Sequence, residues 1–314
     1  MVRAAAHAGL GCRKRALAAP DIFASWLGTA ATATCLSQGD GEGAERRQQK
    51  RCGSAGALVS VNRSGTSVAM KHKNKRLRAA NESSTSMDAL LTAIVDDDRP
   101  RAKVLLKADP GLATCLIREA RLYESKILHW LYVGDTALHL AAAGHRLELV
   151  RILLAAGADP NSAQNHRQSR PLHYAADGYI IGPDWKPKRQ VETIQCLLDA
   201  GADINAQDKN GASPLHRAVR TRCAAAAKRL LERGGDAKLK NKSGSTPFHL
   251  AVQNTGRGGS GADAARASQR QIIQGFLAFG LSPALQDSKG KSVLDWAKSD
   301  WIRNMLSKIA AEPG

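Results

Sequence analysis

Ser213-Pro214-Leu215-His216-Arg217-Ala218 carries the pattern that organises most of this chain. Three other stretches share it: Thr136-Ala137-Leu138-His139, Arg170-Pro171-Leu172-His173 and Thr246-Pro247-Phe248-His249, each with an alanine two residues after the histidine. The histidines are 34, 43 and 33 residues apart, and a weaker fifth copy, Ser292-Val293-Leu294-Asp295, lies 46 residues beyond His249. A leucine-paired segment and a Gly-containing turn trail each copy. These are Leu153-Leu154 before Gly157-Ala158-Asp159, Leu197-Leu198 before Gly201-Ala202-Asp203, Leu230-Leu231 before Gly234-Gly235-Asp236, and Phe276-Leu277 before Gly280.

Elementary helix chemistry accounts for the residue types. Thr136, Ser213 and Thr246 are side chains that cap a helix start, and Pro171, Pro214 and Pro247 suit the first helical turn. Leucines three and four apart give the following helix one buried stripe. The glycine after it supplies the left-handed backbone that ends a helix. A helix pair of this size has no closed core, so its stability must come from stacking on its neighbours.

The T-P-L-H-x-A element at a period near 33, with G-A-D and then Asn161 and Asn205, resembles the ankyrin repeat. The resemblance covers roughly residues 86–308. It implies an all-α solenoid of stacked helix-turn-helix units with finger loops. It also implies a protein-binding role and a structural role for His139, His173, His216 and His249, bonding between adjacent loops. The order of whole segments further resembles a bacterial group of ankyrin-repeat proteins, which adds no activity.

The flanks divide on the same criteria. Residues 1–85 are expected to form a disordered basic extension; the first 80 carry 14 Lys/Arg against 4 Asp/Glu, more than half of the whole chain's net +18. Met70, which opens MKHKNKRLR, is an alternative start that would make the upstream residues a gene-model artefact. Residues 86–133 read as a divergent N-terminal cap and bridge, with a capping box at Thr85-Ser86-Met87-Asp88 and a second helix opened by Pro100 that buries Val104, Leu105 and Leu106. Four repeats fill 134–289, and 290–314 is a capping repeat closed by Trp296, Trp301, Ile302 and Leu306.

Two repeats are too long. The excess falls near 179–189 in the second and 255–269 in the fourth, between inner helix and outer helix, the outer helices being expected from Val191 and Ile272. The fourth-repeat excess contains GRGGSG (256–261), which fits G-x-G-x-x-G. A dinucleotide loop needs a strand before it and a helix directly after it. These glycines follow a helix instead, so they are a surface insertion. Four histidines spread one per layer cannot converge on a metal, and no nucleophile–base pair is evident. No cofactor, metal or catalytic residue is therefore expected.

The candidate contact residues form two groups. Tyr179, Ile181, Trp185 and Lys188 lie in the first insertion, where Trp185 is either an interface anchor or a lid over its own repeat. Arg217, Arg220, Arg222 and Lys240, with Lys209, Lys238 and Lys242, belong to a basic concave face suited to an acidic protein partner. Nucleic acid is the alternative partner, disfavoured because the charge lacks interleaved aromatics and a groove-reading motif. The longest uncharged run, Ile22 to Leu36, is too short to span a membrane. The six scattered cysteines read as reduced thiols in a cytoplasmic monomer.

Overall fold

A computed structural model describes residues 85–310, apart from position 125 and segments 179–184 and 255–262. Helix α1 covers 85–96 and buries Leu90, Leu91, Ile94 and Val95. Thr85, the first described residue, already lies in this helix. Helix α2 follows at Arg99–Ala108, with Asp98 accepting from the Arg101 N–H at its start. Ala102 and Leu106, one turn apart, face the core, which turns Val104 out to solvent against the sequence expectation.

After a 3-10 turn at Pro110–Ala113, the bridge folds as a β-hairpin. Strands β1 (Arg121–Glu124) and β2 (Leu128–Leu131) pair antiparallel, with Leu122 opposite Trp130 and Tyr123 opposite His129. The fold is otherwise helical, and this hairpin is the one sheet among the described residues.

Five helix pairs follow: α3 (Ala137–Ala143) with α4 (Leu147–Ala155), α5 (Pro171–Ala176) with α6 (Pro187–Asp199), α7 (Pro214–Arg220) with α8 (Ala224–Glu232), α9 (Pro247–Ala251) with α10 (Asp263–Ala278), and α11 (Val293–Trp296) with α12 (Asp300–Ala310). The short members stack in one row, α3 on α5 on α7 on α9 on α11. The long members stack in a second row, α2 on α4 on α6 on α8 on α10. One apolar core runs the length of the stack, from Leu90 through Leu138, Leu172, Leu215 and Phe248 to Ile302 and Leu306. At its far end Trp296 and Trp301 lie half-buried against it. None of the described helices is long and apolar enough to cross a membrane.

Gly157, Gly201, Gly234 and Gly280 each have φ between +77° and +92°, as the helix-ending role requires. The insertions are shorter as loops than the sequence suggests, because α6 starts at Pro187 and α10 at Asp263. The outer helices extend backwards to absorb the second part of each excess. GRGGSG lies outside the described residues, except that the helix begins two residues after it.

Candidate functional site

The motif histidines form a ladder of neutral side chains through the core. In each, Nδ1 accepts the backbone N–H of the residue before the helix: Thr136, Arg170, Ser213 and Thr246, at 3.0 to 3.4 Å. On the opposite side Nε2 faces the carbonyl of Ser169, Ala212, Ser245 and Lys291 in the next loop, at 3.0 to 3.1 Å. A nitrogen facing an N–H must be bare and one facing a carbonyl must carry hydrogen, so all four rings are the Nε2–H tautomer. The hydroxyls of Thr136, Ser213 and Thr246 lie 2.8 to 3.0 Å from Nδ1 and add to the anchoring. Burial pushes His173 and His216 down to about 4. The histidines therefore join one repeat to the next.

Beside this ladder, the finger loops share one internal device. In the first, Asn165 Oδ1 accepts the N–H of Arg167 and Ser169. Asp208 Oδ1 does so for Asn210 and Ala212, and Asp287 Oδ1 for Lys289 and Lys291. Adjacent fingers are tied by backbone bonds, from Lys209 to Arg167, Lys242 to Asn210 and Ser288 to Gly244, at 2.7 to 3.0 Å. These loops thus turn Asp208 and Asp287 inward, while Lys209, Lys240, Lys242 and Lys289 stay exposed. A row of cations results along the tied fingers.

Two of the expected concave-face arginines are not on that surface. Arg217 is buried, its guanidinium 2.9 Å from Asp177 and 2.7 Å from Asp208, and it also donates to Ser169 Oγ at 3.0 Å. Burial alone would raise the Asp177 carboxyl, but Arg217 and His129 facing it hold it well below the usual carboxylate range. Arg222 is buried too. It takes φ 62° after α7 and donates to the carbonyls of Ala251 and Gln253 at 3.1 and 2.8 Å. Both placements correct the surface expectation, because each arginine meets partners from another repeat that a local reading of α7 cannot see. Arg220 and Lys240 are exposed.

The first insertion is rooted from two sides. Gln190, fully buried in α6, donates to the carbonyls of Ala175, Ala176 and Asp177 at the end of α5, and His145 of the preceding repeat also bonds Ala175. The fourth repeat repeats the arrangement: Gln269 and Arg222 both donate to the Ala251 carbonyl. Sequence reading missed these glutamines. Their signal was available, since each sits one helical turn, four residues, before a buried isoleucine, Ile194 or Ile273.

Trp185 is half-buried and packs on the core; a Cβ added to Gly178 would lie 2.9 Å from its Nε1. Lys188 is exposed near Glu192, at 3.9 Å. Tyr179 and Ile181 lie outside the described residues.

Comparison with known proteins agrees with this geometry. Two family models match: "Ankyrin repeat" over residues 133–166 and 169–209, and "Ankyrin repeats (many copies)" over 197–251. The chain is 38% identical over 84 residues to Ankyrin repeat and SOCS box protein 6 of Mus musculus, a stretch that makes up 27% of this chain and 18% of that protein. It is 38% identical over 93 residues to ARF GTPase-activating protein Git of Drosophila melanogaster (30% and 11% of the two chains). To E3 ubiquitin-protein ligase KEG of Arabidopsis thaliana it is 35% identical over 86 residues (27% and 5%). The matched segment is thus a minor part of each of these relatives.

Proposed function

Since this chain is an ankyrin-repeat protein, we propose that it is a non-enzymatic scaffold that grips an acidic segment of a protein partner along its finger row. The observation that carries this is the sorting of charge in the fingers. Asp208 and Asp287 are consumed by their own loops, and Lys209, Lys240, Lys242 and Lys289 are left outward. Fingers tied by backbone bonds hold these cations on a preset frame, which lowers the ordering cost of binding. Arg220 adds charge on the inner-helix side. Opposite charges on the partner would speed encounter and fix its register. The nucleic-acid alternative gains nothing from the matched families or relatives.

The test is affinity capture with the full chain, identification of what is retained, and titration of the principal partner. Reversing Lys209, Lys242 and Lys289 to Glu should weaken binding by roughly tenfold or more, and added salt should weaken the wild-type complex. Trp185→Ala, whose ring packs on its own repeat, should bind as wild type once folded. Equal binding by the charge-reversed protein would overturn the reading; loss of binding in a well-folded Trp185→Ala would move the site to the first insertion.

A further inference from the structure

The β-hairpin presents an apolar face that the repeats do not cover. Leu122 and Trp130 are cross-strand partners, 38% and 40% exposed, while Ile127 and Leu131 are buried. Alternation along a strand normally aims such a pair at the core or replaces it with polar residues. Here the inward side is taken by Tyr123, half-buried against the core, and by His129, whose ring lies 4.7 Å from that of Tyr174. The register of β1 with β2 therefore commits Leu122 and Trp130 to solvent.

This face is tied to the body of the protein and it borders the cation row. Arg121 pairs with Asp88 at 2.8 Å and Lys126 with Asp96 at 2.9 Å, which ties both ends of the hairpin to α1. Ile127 at the turn packs against Gly144, where a Cβ would clash with it. From Trp130 the surface continues to Tyr132, the rings 6.3 Å apart and stacked. Tyr132 in turn carries the Arg167 guanidinium 4.6 Å over its ring and the edge-on ring of His166 at 5.1 Å, both in the first finger. Arg167 is backbone-bonded to Lys209, the next cation of the row.

We infer that the Leu122–Trp130 pair is the anchor for an apolar side chain of the acidic segment, and so sets which acidic segments are accepted. This rests on the finger-row reading and adds a specificity element to it. The cations alone would hold any acidic chain. A half-exposed tryptophan held on a paired strand beside a basic strip is the kind of arrangement from which binding hot spots are made. Its chemistry selects an aliphatic or aromatic residue flanked by Asp and Glu.

The probe is a random peptide library displayed on phage, selected against the full chain. Selected peptides should be rich in Asp and Glu and share an apolar residue at one fixed position. A selected peptide, synthesised and titrated, should bind Trp130→Ala at least roughly tenfold more weakly, with the melting temperature of the variant near wild type. Leu122→Ser should act in the same direction and restore no binding when combined with Trp130→Ala. Acidic enrichment with no preferred apolar position, or equal binding by Trp130→Ala, overturns this inference and leaves the finger row standing. Absence of acidic enrichment overturns the finger row itself. A dimer of the full chain, seen by light scattering and dissolved by Trp130→Ala, would make the face a self-association surface and also overturn the inference.

Discussion

The first and third repeats turn tightly from inner to outer helix, whereas in the second and fourth a longer stretch of chain separates the two helices. In the tight repeats one residue takes left-handed backbone, His145 at φ 50° and Arg222 at φ 62°. Each then reaches forward to a carbonyl at the end of the next inner helix, Ala175 or Ala251. In the long repeats α6 and α10 send Gln190 and Gln269 back to those same carbonyls. A helix end has carbonyls with no partner of their own. The tight repeats therefore brace the inner-helix ends after which the insertions begin, so that part of each root is satisfied by the neighbouring repeat.

The largest effect should come from Arg217→Met. Arg217 belongs to the tight third repeat but holds Asp177, the residue at which α5 of the long second repeat ends. Removing it strands two carboxylates in a buried setting, at a cost of about 3–5 kcal/mol. Urea denaturation should show this loss, and adding Asp177→Asn with Asp208→Asn should recover much of it. A loss under about 1 kcal/mol would mean that the network is well hydrated.

Acid comes next. His145, His173 and His216 sit at about 4 in the fold because burial opposes their charge, while the unfolded chain takes up protons near 6.5. Between those values the unfolded state binds more protons. Their stability contribution is thus full above about pH 6.5 and is lost as pH falls toward 4. The melting temperature should fall steadily over this window. His145→Gln should lessen the fall, whereas substituting Arg222, the equivalent residue of the third repeat, should leave its shape unchanged.

The smallest effects separate the two long repeats. Gln190→Ala and Gln269→Ala each leave buried carbonyls with fewer donors and should cost about 1–3 kcal/mol. Gln271→Ala, exposed on the same α10, should change stability by less than about 0.5 kcal/mol. If Gln190→Ala is as mild as Gln271→Ala, the brace from His145 suffices alone.

The repeat architecture was legible because its signals are local. Proline at the first helical turn, glycine with positive φ and histidine three residues after the cap act within one repeat or on the next loop. Their recurrence near 33 residues is visible in one dimension. These signals carry the family resemblance, and it was the resemblance that implied the fold class, the helix pairs and the structural role of the histidines. The hairpin did not, since its alternation is brief and its strands are only four residues long. The outer-helix starts were also misplaced, because polar residues such as those of 263–269 carry little helical period until α9 and α8 pack against them.

Charge is where tertiary structure decided most. The sequence determines that Arg217, Arg220 and Arg222 follow one another on and just after α7, and nothing local distinguishes them. Packing sends Arg217 to carboxylates 9 and 40 residues away and Arg222 to carbonyls about 30 residues away, and leaves Arg220 at the surface. A long cation is buried only where another element supplies its partners, so its fate depends on neighbours that stacking brings close. The same holds for Trp130, turned outward by a strand register that Tyr123 and His129 settle against the body of the protein.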